Sequence, residues 1–183
     1  MKCSQGRARS VGCLGLEGSL GGMRLTGEER RSAKEALSAL VGLPLSDMFR
    51  YAGCQKFEFG EQKPHLNRKG EEMTRADWGL VASCHWRIQG PSGFLLTWED
   101  FTPARRDDHA MAFYGSLKSD PPVVESVEVE EDGGLRIGMT CEYSLALDPS
   151  NYDEEYFEDW RFMPPTDEPR GHLVLGEDLS WSG

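Results

Sequence analysis

Val123-Val124-Glu125-Ser126-Val127-Glu128-Val129-Glu130, then Glu131-Asp132-Gly133-Gly134, then Leu135-Arg136-Ile137-Gly138-Met139-Thr140, is the stretch on which the reading of the fold turns. Side chains of an extended chain alternate between two faces, so Val127 and Val129 fall on one side and Glu128 and Glu130 on the other. The acidic, glycine-ended quartet 131–134 supplies a tight reversal, and residues 135–140 return as the second arm of a hairpin. Residues 141–147 read as a continuation of that returning strand, stopped by Asp148-Pro149.

Working outward, Lys56-Phe57-Glu58-Phe59 repeats the two-residue period and ends at Gly60, which puts both aromatics on one face. Residues 61–75 are polar and read as a loop. Residues 78–88 are long and apolar enough for one central strand. Gln89-Gly90-Pro91-Ser92-Gly93 is turn chemistry, and residues 94–98 should return antiparallel. Residues 156–163 and 172–175 read as further strands around the proline-rich stretch 164–169. The clearest helix start is Thr26 with Glu29, a capping box in which each side chain satisfies an orphan amide of the first turn. Ala33, Ala36, Leu37, Leu40 and Val41 follow at the spacing of one apolar stripe, and Gly42 and Pro44 end it. Residues 46–51 read as a second short helical turn, and 107–117 as a helix with Ala110, Met111, Tyr114 and Leu117 on one side.

Strands that follow strands through short connections imply an α+β fold: a mostly antiparallel sheet of about six to eight strands with one or two packed helices. Residues 26–183 are expected to form this single domain. Residues 1–25 are glycine-rich and without period, and read as a disordered N-terminal extension. Met23-Arg24-Leu25-Thr26 resembles an ordinary protein start, so residues 1–22 are expected to be an upstream addition. The apolar run 11–16 is too short and too interrupted by glycine for an export signal.

The net charge of −11 is unevenly placed. Residues 1–35 carry seven bases and four acids, residues 36–119 ten of each, and residues 120–183 three bases and 17 acids. Nucleic-acid binding needs a basic footprint to neutralise phosphates, and this distribution argues against it. No stretch approaches the ~20 apolar residues of a membrane span. Five cysteines without a CxxC pair point to free, mostly buried thiols and a cytoplasmic location.

Two segments echo one another. Trp86-Arg87-Ile88, a turn and Leu95-Leu96-Thr97-Trp98-Glu99-Asp100-Phe101 form the first; Trp160-Arg161-Phe162, a loop and Leu173-Val174-Leu175-Gly176-Glu177-Asp178-Leu179 form the second. Each tryptophan is expected to fill core, and each arginine to lie on the solvent side beside an acid, because neighbours on a strand face opposite ways. With the run 40–49, Phe57-Glu58-Phe59-Gly60, Cys84-His85-Trp86-Arg87-Ile88, the acid Asp100 and His172-Leu173-Val174, the chain resembles a group of uncharacterised small bacterial proteins over residues ~36–176. That resemblance implies a domain family and no mechanism. Some members look like immunity partners encoded beside secreted toxins. This chain has His85 where the group often has proline.

No residue set carries a catalytic signature. His65, His85, His109 and His172 are not at metal-ligand spacing, and Asp107-Asp108-His109 at a helix start reads as cap and dipole partners. Cys84 and His85 are strand neighbours that point apart, so that histidine cannot deprotonate that thiol. No catalytic residue, metal or cofactor is therefore expected. The leading expectation is a non-catalytic, acidic interaction protein, of immunity type, that binds a basic protein partner. Its contact residues would be Tyr152, Asp153, Glu154, Glu155, Tyr156, Glu158 and Asp159, where aromatics and carboxylates alternate. The alternative is a small-ligand-binding protein or hydrolase with a pocket of Trp86, Arg87, Trp98, Glu99, Asp100 and His109.

Overall fold

A computed structural model describes residues 24–51, 53–66, 69–101, 108–149, 158–165 and 169–182. The expected extension and most of the acidic–aromatic run lie outside them. Helix α1 spans Gly27–Leu37 behind the Thr26–Glu29 capping box, with both reciprocal bonds made. Ala33, Ala36, Leu37 and Leu40 are buried as the stripe requires. Val41 is not: it is 47% exposed, because the helix tightens to a 3₁₀ turn over Ser38–Leu40 and the stripe ends there.

The chain then enters strands β1 (Leu45–Tyr51), β2 (Cys54–Phe59), β3 (Lys63–Leu66), β4 (Glu72–Arg75), β5 (Trp78–Ala82), β6 (His85–Gln89) and β7 (Leu95–Thr97). Helix α2 (Asp108–Leu117) precedes β8 (Val124–Val129), β9 (Leu135–Met139), β10 (Ser144–Asp148), β11 (Trp160–Met163), β12 (His172–Leu175) and β13 (Leu179–Ser182). The fold is α+β and mostly sheet. Every paired neighbour runs antiparallel.

The thirteen described strands form two large sheets and a ribbon rather than one sheet. The six-stranded sheet has the order β1-β2-β5-β11-β12-β13, the five-stranded sheet β7-β6-β10-β9-β8, and β3-β4 is a two-stranded ribbon. The sheets share one buried cluster. Phe57 of the larger meets Trp86 of the smaller edge-to-face at 5.3 Å, the geometry that aromatic quadrupoles favour. Helix α1 packs on β8 and α2 on β1.

Several expectations are corrected. Residues 46–51 are strand, not helix, because β1 pairs with β2 along its length. Residues 61–75 are not a loop but contain the β3–β4 ribbon. The single strand expected over 78–88 is two strands in different sheets, broken at Ser83-Cys84, whose amides both donate to the Asp159 carbonyl (2.8 and 3.1 Å). Residues 141–147 do not prolong β9. Cys141 and Glu142 take left-handed φ of 58° and 61°, the signature of a two-residue hairpin turn, and the chain doubles back as β10. On α2 the inward side chains are Phe113 and Leu117, while Met111 is exposed and Tyr114 half-buried.

The outer side of β2 also departs from simple alternation. Lys56 and Glu58 are 7% and 1% exposed and form an ion pair of 2.6 Å. Glu58 accepts further bonds from Gln62 Nε2 (3.0 Å) and the Ala76 amide (3.2 Å). A buried pair persists when its remaining hydrogen-bonding capacity is filled in this way.

Candidate functional site

Antiparallel register gathers strand ends, and here it gathers carboxylates. Strand β5 runs through Ser83-Cys84 straight into β6, so the end of one sheet continues as the start of the other. Trp160 opens β11 at this end, and its Nε1 donates to the Gly133 carbonyl (2.9 Å) in the β8–β9 turn. Gly133 has φ +82°, and a Cβ there would stand 2.5 Å from Leu175 Cδ2. Only glycine lets this turn sit on the end of β12. The Asp159 amide donates to the Leu175 carbonyl (2.8 Å), and β12 leads at once into Gly176-Glu177-Asp178. The turns carrying Glu130, Glu131 and Asp132, then Glu158 and Asp159, then Glu177 and Asp178 therefore meet at one end. Asp148 closes β10 opposite His85, and Glu99 and Asp100 follow β7, whose Thr97 faces Arg87.

Some of these charges are taken up locally. Arg136 Nε lies 2.5 Å from Glu130, Arg30 lies 3.8 Å from Glu131, and Arg161 pairs with Glu158. The Asp100 carboxylate accepts from the Thr97 amide (2.7 Å) and hydroxyl (3.0 Å). Among the described residues Glu99, Glu177 and Asp178 are exposed, and their carboxylates make no hydrogen bond or ion pair.

A cleft of about 320 Å³ opens at the same end, lined by His85, Trp86, Arg87, Thr97, Trp98, Glu99 and Asp148. The His85 ring stacks on Trp98, with centroids 4.4 Å apart and planes at 6°. Trp98 is 38% exposed, and the exposed Leu95 lies on the neighbouring β7. An aromatic surface and two carboxylates beside one arginine suit a cationic or amphipathic group.

Four of the six residues expected to form a pocket come together here: Trp86, Arg87, Trp98 and Glu99. Asp100 does not line the cleft, because its carboxylate caps Thr97. His109 lies in α2, and its side chain is outside the described set. His85 and Asp148 were not read as pocket residues, since only the pairing of β6 with β10 brings them opposite one another. Of the expected contact run, residues 152–156 lie outside the described residues, and Glu158 is engaged with Arg161.

Asp159 is a correction: at 5% exposure it presents no surface to a partner. Its Oδ1 has no hydrogen-bond partner among the described residues, and burial pushes its pKa up to about 6. Burial, and then the nearby Asp159, also push the Cys84 thiol well above its usual range, so it stays protonated and inert. Cys54 is partly buried and Cys141 exposed. No group of three metal-ligating side chains occurs among the described residues, and no described helix is long and apolar enough to cross a membrane. Comparison with family models, with curated proteins and with solved structures returns no match.

Proposed function

We propose that this is a non-catalytic interaction protein that uses its carboxylate-rich end to bind a basic protein partner, in the manner of an immunity protein. The observation that carries this reading is the meeting of three acidic turns and the Glu99 and Asp148 strand ends at one end of the stacked sheets. Exposed carboxylates draw a cationic surface in, and Trp98 with Leu95 supplies apolar area for it to close on. The immunity type itself is supported only by the sequence resemblance.

The test is kinetic. With the captured partner immobilised, wild-type association should be fast and should slow steeply as salt rises. A variant carrying Glu99→Gln, Asp132→Asn, Glu177→Gln and Asp178→Asn should associate at least ~10-fold more slowly with little change in dissociation. An unchanged association rate removes this end as the binding surface. Adding Asp153→Asn, Glu154→Gln and Glu155→Gln measures what the acidic–aromatic run contributes.

The cleft favours a second reading, in which the Trp86/Glu99 hairpin holds a small ligand. Its volume is at the low end for such sites. In that case Trp98→Ala abolishes ligand binding while the four-carboxylate variant leaves partner association untouched.

A further inference from the structure

The opposite end of the six-stranded sheet carries a larger cleft, about 540 Å³, whose charged lining is mainly basic. The β3–β4 ribbon contributes Lys63, His65 and Arg75, the residues that follow it contribute Ala76 and the carboxylate Asp77, and the chain leaving β11 contributes Pro164 and Pro165. Register places Lys63 directly opposite Arg75, so two like charges face each other across the ribbon, an arrangement that repels. Asp77 takes up Lys63 in an ion pair. Arg75 is left over. Among the described residues its guanidinium has no hydrogen bond and no ion pair.

Glu61 lies near enough to Lys63 to favour its charge, and two further carboxylates are committed elsewhere. Glu58 holds Lys56, Gln62 and the Ala76 amide, and Glu158 holds Arg161. Arg75 is also near His172, which lies 3.2 Å from Arg161 Nη1 and is held below the usual histidine range first by burial and then by Arg161 and Arg75. A half-buried guanidinium without a counter-charge, in a cavity with two further cationic or imidazole donors, is built for an anion.

We infer that this cleft binds the phosphate monoester group of a small molecule, with Arg75 as the bidentate donor, His65 as a second donor, and Lys63 as a third through the ammonium hydrogens it does not give to Asp77. A carboxylate offers two acceptor oxygens and a phosphate monoester three, so the monoester matches three donors better. The prolines have no amide hydrogen to give, so Pro164 and Pro165 form an apolar shelf for the body of the ligand.

The inference is independent of the carboxylate-rich end and is tested on the full chain by amide NMR titration with phenyl phosphate at neutral pH. Saturable shifts should centre on Lys63, His65, Arg75, Ala76 and Asp77. Arg75→Gln should weaken binding at least ~10-fold and Arg75→Lys by less, since lysine keeps the charge and loses the fork. Lys118→Gln, which lines neither cleft, should bind as the wild type does. Wild-type affinity in Arg75→Gln, or the absence of saturable shifts in this cleft, overturns the site. Benzoate binding as tightly as phenyl phosphate overturns the assignment to phosphate.

Discussion

In β6 the step Trp86-Arg87 buries its indole against Phe57 and leaves its arginine without a described partner beside an open cleft; in β11 the step Trp160-Arg161 buries its indole completely and holds its arginine between Glu158 and His172. The residues before each tryptophan differ as well. His85 lies half-buried under Trp98, while Asp159 is buried with an orphaned oxygen. The two strands belong to different sheets but begin at the same end. Alternation makes the tryptophans alike, since one face of each sheet must be apolar. What lies over the outer face makes the arginines unlike.

The strongest way to break this comparison is to cut into both tryptophans. Trp160→Phe and Trp86→Phe should each lower unfolding free energy by about 2–4 kcal/mol in urea titrations, with Trp160→Phe also losing its bond to Gly133. A neutral result at either position would mean that the echo is not an echo of core.

The next effect comes from the residue before Trp160. The fold raises the Asp159 pKa from its ordinary value to about 6, so folding favours the protonated acid. Its contribution is fully present below the unfolded pKa near 4 and is lost as pH rises through about 6. Asp159→Asn should therefore be more stable than wild type by up to about 3 kcal/mol at pH 8, and the gap should close near pH 4. Thermal melts across that range measure it, and a gap independent of pH would assign the effect to packing instead.

The smallest effect separates the arginines. Arg161→Gln should cost up to about 1 kcal/mol, because its pair with Glu158 is partly exposed, and 1 M salt should erase most of that loss. Arg87→Gln should change stability by less than about 0.5 kcal/mol. Equal losses at the two sites would show that Arg87 is as constrained as Arg161.

Much of this was legible in the chain. The capping box at Thr26 and Glu29, the β8–β9 hairpin, the shared face of Phe57 and Phe59, and the return of β7 onto β6 are local patterns, and each formed as read. The failures share a cause. Residues 78–82 are apolar and His85-Trp86-Arg87-Ile88 alternates, a pattern that one long strand would also give, so nothing local marks the change of sheet at Ser83-Cys84; that break is fixed by the carbonyl of Asp159, 75 or more residues away. The polar ribbon β3–β4 has no apolar face to announce it, and all four described side chains of β3 are exposed. Cys141-Glu142 turns without the glycine or asparagine that usually marks such a reversal. Four of the seven residues that line the cleft were read together because Trp86, Arg87, Trp98 and Glu99 lie on one hairpin, while Asp148 arrives from β10, a strand distant in the sequence.

The sequence by itself determined the helix start, the strand alternation, the class of fold and the lopsided charge, because these depend on neighbours within a few residues. Tertiary structure alone decided that β10 lies beside β6 and β11 between β5 and β12, that Lys56 and Glu58 are buried together, and that acids gather at one end while Arg75 is stranded at the other. A period reports which side of a strand is apolar. Which strand lies next to it is settled by contacts between distant segments, and no local pattern holds that information.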